Sequence, residues 1–454
     1  MSKDLSSEKS GFTSKFMTFV EEKVAPPLIK ISNIRYLQTL QRAFMILMPY
    51  MVIGATATLI LNLPGLFAEG TGLNMPGVAE FLTKVLTPIK PGLFQMVFVT
   101  LNVITLVLVV LNGYFLGEHY SREDHQVNAV AAGIVALVSF LAFIDFSTLS
   151  ENFDWPTYIM GSPSLFFGIL ISIISVEIYR FLINKKITIK MPESVPPMVA
   201  TAFVSMIPVT VVVLIMSFIG QGIPGFDLMA IINNYSQKLV VGGSGPVAQF
   251  IGFFLDRLLW FVGLHGSNIV GSVMSPVWTT MITDNINAFN AGNPIPYMFT
   301  NQWINFYVRV SVFPIALLAL RSKVEKFRVL GKLSIVGTIF NIAEPIMFGL
   351  PIVLNPLMFV PWVLGFSLTF IFNAVLGLLS ITPPMVAMVV WTMPAPLAAF
   401  IGSGFKVTAM LISLLNYVLI FFIFLPFFRV MEKQELEKEE EYARNKQGNE
   451  ALEI

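Results

Sequence analysis

Apolar residues run in long blocks along this chain, and charged residues are swept into the gaps between them. No Asp, Glu, Lys or Arg falls between Arg42 and Glu69, Lys90 and Glu118, Glu193 and Asp227, or Glu344 and Lys406. A helix crosses a bilayer with about 20 predominantly apolar residues, so each of these stretches is long enough. In the first half the blocks predict five spans, at 43–62, 93–117, 127–146, 158–183 and 198–220.

The second half is less regular. Gly263, Gly266, Pro276, Pro345, Gly349, Pro351, Pro356, Pro383, Pro384, Pro394 and Pro396 recur inside its apolar stretches. Unpaired backbone amides in hydrocarbon cost several kcal/mol each, so broken backbone survives at membrane depth only where it is buried in protein or lines a watery cavity. Such segments point to a central binding site, as in many transporters. The expected fold is an all-α polytopic membrane protein of about ten transmembrane helices, with two re-entrant hairpins and a broken-helix, transporter-like second half.

Lys and Arg set the orientation. Lys3, Lys9, Lys15, Lys23, Lys30 and Arg35 precede the first span, and Arg180, Lys185, Lys186 and Lys190 follow the fourth. Both groups read as cytoplasmic. The link 147–157 has no Lys or Arg but carries Asp154 and Trp155, as the opposite side requires. Arg321, Lys323, Lys326, Arg328 and Lys332 form another cytoplasmic link, and the tail from Arg429 returns to that side. The alternating Glu and Lys of 432–441 read as a solvated helix end. The first 40 residues lack the short apolar core and small-residue site of a cleaved signal, so the first apolar run is a retained span. Four segments result: a cytoplasmic arm at 1–40, a five-helix half at 41–225, a broken half at 226–430 and a charged tail at 431–454.

Composition narrows the chemistry. Only 12% of residues are charged, where soluble domains carry about one-quarter. A net charge of +1, with the basic residues clustered between apolar runs, gives no reason to expect nucleic acid. Cys is 0, which excludes a disulfide, a thiolate metal site or a cysteine nucleophile within this chain.

Glu344 is the most unusual residue, because uncharged runs flank it at 333–343 and 345–405. An acid at the centre of a membrane costs roughly 2.5–3.5 kcal/mol on insertion scales and is a functional candidate by default. The surrounding NIAEPIMFGLPIVLNP reads as a bent hairpin in which Pro345 disrupts helix. Its amides, including Asn341, suit a polyhydroxylated ligand. His265 lies in LLWFVGLHGSNIV, where flanking glycines and the Ser267-Asn268 pair make a compact polar island in the uncharged run 258–283. Trp260 and Trp391 are candidate platforms for the apolar faces of sugar rings. His265 with Glu344 is too few ligands for a metal site, and no metal or cofactor is expected. His119 and His125 read as solvated. Asp145 sits at a span end, and Glu177 is near enough to Arg180 for local pairing. Asp256, Arg257, Arg309 and Lys406 read as ion-paired or snorkelling.

The LHGSN around His265 and the AEPIMFGLPIVLNP around Glu344 resemble the enzyme IIC permeases of the lactose, cellobiose and diacetylchitobiose phosphotransferase family. IRYLQTLQRAFMILMPYMVIGA and MPESVPPMVATAFVSMIPV extend the resemblance over about residues 20–430. The resemblance implies a homodimer surrounded by the lipid of a bacterial inner membrane, and the Lys and Arg pattern leaves both termini cytoplasmic. Its first five spans would form the dimer contact, while the later spans hold a disaccharide. It also implies phosphoryl transfer to the sugar 6-hydroxyl from a phosphocysteine on enzyme IIB, charged from phosphoenolpyruvate through enzyme I, HPr and IIA. With Cys 0 and a short tail, IIB is expected as a separate polypeptide. Glu344 and His265 would bind near the 6-hydroxyl, with Glu344 the candidate base, and Asn268, Asn341, Trp260 and Trp391 would contact sugar. The alternative is a proton-coupled sugar symporter in which Glu344 titrates.

Overall fold

A computed structural model describes residues 22–23, 25–68, 75–124, 127–144, 160–189, 197–221, 223 and 225–452. The arm through residue 21, His125, Asp145, the link with Asp154 and Trp155, and Lys190 lie outside the described residues. The described residues form helices joined by non-helical links, without strands. Among the described residues, six helices are long and apolar enough to cross a membrane, and eight spans result if each of two interrupted pairs is counted as one. The expectation of ten is not reached among the described residues, partly because the third predicted span yields only the 13-residue helix Ala129–Leu141. The second predicted span is not straight: Lys90–Asn102 and Ile104–Arg122 meet at 44°. A wide π-turn at Phe98–Asn102 precedes the bend, and Thr100 donates back to the Met96 carbonyl at 2.6 Å.

The chain forms two compact units, one from Lys30–Ser244 with Gly271–Pro296, the other built around Gly245–Val270 and Tyr297–Ile454. The first is a close-packed helical body. Lipid tails supply no hydrophobic drive for helices to associate, so small residues that let backbones approach are favoured. A Cβ on Gly113 would come within 2.6 Å of the Ala136 Cβ, and one on Gly117 within 2.6 Å of the Ala132 Cβ. Buried polar side chains link the same helices: Thr39 donates to Asn112, and Asn112 to Ser172, at 3.2 and 2.8 Å. Glu177 does approach Arg180, at 4.0 Å, as its spacing predicts. Its firmer partners are distant in sequence, the hydroxyls of Tyr36 and Tyr120.

The second unit holds the broken backbone. After Phe366–Leu378 the chain runs without helix until Ala395–Gly402, and much of that stretch is buried. Three of its backbone amides are nonetheless paired with groups outside the stretch. The amides of Val386 and Ala387 donate to the Gly402 carbonyl at 2.7 and 3.1 Å, and that of Val389 to the Gln302 side chain at 3.2 Å. The tail is more than a solvated helix end: Glu432 accepts from the Ser322 hydroxyl at 2.5 Å and the Lys323 amide at 2.6 Å, and Lys326 pairs with Glu435. These contacts fix the basic link against the end of the last long helix.

Candidate functional site

The site grows from two helix breaks of the same kind. Pro246–Phe261 ends with Gly263 at φ +83°, the left-handed conformation that glycine adopts without steric cost. Gly263 donates to the Trp260 carbonyl at 3.0 Å and Leu264 to the Leu259 carbonyl at 2.9 Å, which closes the helix end. A new helix starts at Gly266, leaving His265 exposed on the turn with Asn268 one turn on. The Asn268 amide donates to His265 Nδ1 at 3.2 Å. An amide N–H only donates, so Nδ1 holds the lone pair, and in the neutral ring the proton sits on Nε2. His265 therefore offers a hydrogen-bond donor outward.

The second break follows Glu325–Ile339. Asn341 takes φ +63°, a conformation Asn tolerates better than most residues, and Ile342 donates to the Gly337 carbonyl at 3.0 Å. The Asn341 side-chain amide donates to the carbonyls of Trp391 and Met393 at 2.6 and 2.7 Å. Its donors are thus engaged in bracing the other broken segment, not presented to a ligand. Pro345 does not disrupt helix here; it opens one, Glu344–Gly349, at a position where the missing N–H has no intrahelical partner to lose. Glu344 at the start of that helix is exposed.

Trp260 links the two breaks. Its ring centroid lies 4.4 Å from that of His265 and 6.3 Å from that of Phe348, and the Leu354 amide donates to the Phe261 carbonyl at 2.9 Å. Trp260 is only 6% exposed, whereas Trp391 is 47% exposed and Phe348 57%. Trp260 is therefore a floor beneath His265 rather than the open platform expected for it, and Trp391 and Phe348 offer the open aromatic faces. Phe348 escaped the sequence reading because one Phe in an apolar run carries no signal of its own.

Beneath the site lies a buried charge cluster. Asp256 accepts from Arg257 at 2.7 and 3.0 Å and from Arg309 at 3.0 Å. Ion pairing is as expected, but Arg257 does not snorkel: its side chain is 5% exposed, and the rings of Phe253, Trp362 and Phe366 stand 5.2–5.5 Å from its guanidinium. Ser267 donates to the other Asp256 oxygen at 2.7 Å, and Trp260 Nε1 donates to Ser267 at 3.2 Å.

The family description "Phosphotransferase system, EIIC" matches residues 41–365, which include both breaks. The chain belongs to this family. The oligo-beta-mannoside-specific EIIC component of Bacillus subtilis (strain 168) is 31% identical over 93% of this chain and 96% of its own length. The lichenan permease IIC component of the same organism is 32% identical over 94% and 96%. Among solved structures, the transporter ChbC, the IIC component from the N,N'-diacetylchitobiose-specific phosphotransferase system, superposes with a TM-score of 0.84. That match has 31% identity and covers 93% of this chain and 99% of the other. As an EIIC protein, the chain is the membrane-embedded permease subunit of a bacterial sugar phosphotransferase system, a component that works with IIB and IIA proteins.

Proposed function

We propose that this permease carries a disaccharide inward and presents its 6-hydroxyl for phosphorylation at His265 and Glu344. The observation that carries the reading is the 4.4 Å packing of His265 on Trp260, whose ring also meets Phe348 of the segment that bears Glu344. A hydroxyl has one proton to donate and lone pairs that accept. The outward Nε2–H of His265 suits an acceptor, and the exposed Glu344 carboxylate suits the donor. Trp391 and Phe348 supply apolar faces for sugar rings, with Asn268 beside His265, while Asn341 and Trp260 act as supports. The mannoside and diacetylchitobiose in the names of the relatives favour a substrate of at least two sugar residues.

In the transfer step the sugar O6 attacks the phosphorus of a phosphocysteine on IIB. The S–P bond breaks, the thiolate leaves, and the O6 proton passes to Glu344 acting as general base. These 454 residues contain no Cys, so the donor sulfur lies outside them. In this proposal both termini are cytoplasmic, the first five spans form a homodimer, and the sugar-holding half moves relative to them. The test is uptake of labelled cellobiose and N,N'-diacetylchitobiose into vesicles, with and without phosphorylated IIB, for wild type, Glu344→Gln and His265→Ala. Sugar phosphate inside, dependent on IIB and lost in both variants, is the expected result. Free sugar accumulating with a proton gradient would favour symport, and full uptake by both variants would remove these residues from the site.

A further inference from the structure

We propose that Asp256 is a positioning residue for His265, acting through Ser267 and Trp260, with Arg257 and Arg309 holding its carboxylate in the charged form. The inference rests on His265 contacting the sugar.

The direction of each hydrogen bond in this chain is forced. A carboxylate only accepts, so Ser267 spends its single hydroxyl proton on Asp256, at 2.7 Å. The Ser267 oxygen is then left with lone pairs alone, facing an indole N–H that only donates, at 3.2 Å. Arg257 and Arg309 converge on the second Asp256 oxygen and leave the first to the hydroxyl. Were Asp256 neutral, Ser267 could turn its proton elsewhere and Trp260 would lose its defined acceptor. With the carboxylate charged, the indole is pinned at its nitrogen and its ring packs 4.4 Å from the imidazole of His265, at 46°. His265 is held from its other side by the Asn268 amide on Nδ1. Its Nε2–H thus points where the floor and this bond together direct it.

Asp256 also packs against the loop. A Cβ on Gly266 would lie 2.1 Å from the Asp256 backbone oxygen, so the residue after His265 rests directly on the Asp256 backbone. Stability does not by itself call for two guanidinium groups on one sequestered carboxylate, because buried ion pairs are often replaceable by apolar residues at no loss. A fixed hydrogen-bond polarity beneath a binding residue does call for a permanent charge.

The test is a double-mutant cycle on the IIB-dependent phosphorylation of cellobiose and N,N'-diacetylchitobiose in vesicles. Ser267→Ala should raise KM about tenfold, the size of one lost buried hydrogen bond. Turnover at saturating sugar should stay within about twofold, as for an interaction made equally in ground and transition states. Ser267→Thr, which keeps the hydroxyl, should restore KM. In a Trp260→Phe background, which lacks the indole N–H, Ser267→Ala should add nothing further. If Ser267→Ala does not fold, Arg309→Gln enters the same cycle: Arg309 is partly exposed, and Arg257 remains on Asp256. An unchanged KM, or effects that add in the double mutant, would overturn the proposal. Because Glu344→Gln and His265→Ala are run in the same vesicles, failure of the relay is separable from failure of the site.

Discussion

Leu354 donates its backbone N–H to the carbonyl of Phe261 at 2.9 Å, and this bond ties the segment that carries Glu344 to the helix that ends beside His265. Leu354 adopts φ +55° to make it. Proline has no N–H and a φ fixed near −65°, so Leu354→Pro should abolish sugar binding, whereas Leu354→Gly keeps the donor and relieves the backbone. Titration of purified permease with N,N'-diacetylchitobiose checks both; wild-type affinity in the proline variant would mean that the tie is dispensable.

Asn341 combines a left-handed backbone with two side-chain hydrogen bonds, and its variants should separate the two contributions. Asn341→Gly loses the bonds but not the backbone preference, while Asn341→Ala loses both, the second being worth roughly 1–2 kcal/mol. Asn341→Asp turns a carboxylate oxygen toward the carbonyls of Trp391 and Met393. Melting in detergent should therefore fall in the order Asn, Gly, Ala, Asp, and an alanine variant more stable than the glycine one would contradict the backbone argument.

Two glycines of the same unit should respond differently to one methyl group. Gly266→Ala drives its Cβ into backbone, 2.1 Å from the Asp256 oxygen, whereas Gly252→Ala meets only a Val270 methyl at 3.7 Å. The expected outcome is lost transport with a lowered melting temperature for the first and near wild-type behaviour for the second, read by vesicle uptake and thermal melting together.

Glu344→Gln retains an acceptor oxygen but cannot take a proton. Phosphorylation should fall about 10²–10⁴-fold, the usual contribution of a general base, with a much smaller change in sugar binding. Measuring equilibrium binding and single-turnover phosphorylation separately decides this; a variant that binds poorly yet phosphorylates bound sugar at the normal rate would make Glu344 a ligand only.

The Gln302 side chain accepts from the Val389 amide in the non-helical stretch before Ala395–Gly402. Gln302→Leu orphans that amide, which costs about 1–3 kcal/mol when buried, so it should lower thermal stability more than Gln302→Glu, which preserves an acceptor. Equal stability of the two variants would show that the amide finds another partner.

The sequence alone determined the membrane class, the broken second half and the two motifs, because hydrocarbon excludes charge and unpaired backbone residue by residue along the chain. That constraint is one-dimensional, and Glu344, His265 and the glycines around it violate or satisfy it where they stand. Tertiary structure decided what each break is made of: Trp260 became a covered floor, Asn341 a brace, and Asp256 the centre of a buried cluster. The bonds that assign those roles join residues far apart in sequence, such as Asn341 to Trp391, Gln302 to Val389 and Arg309 to Asp256, separated by 50, 87 and 53 positions. Such separations exceed any helical period, so a side chain's partner at that range is set by how the helices pack and leaves no trace in the local pattern.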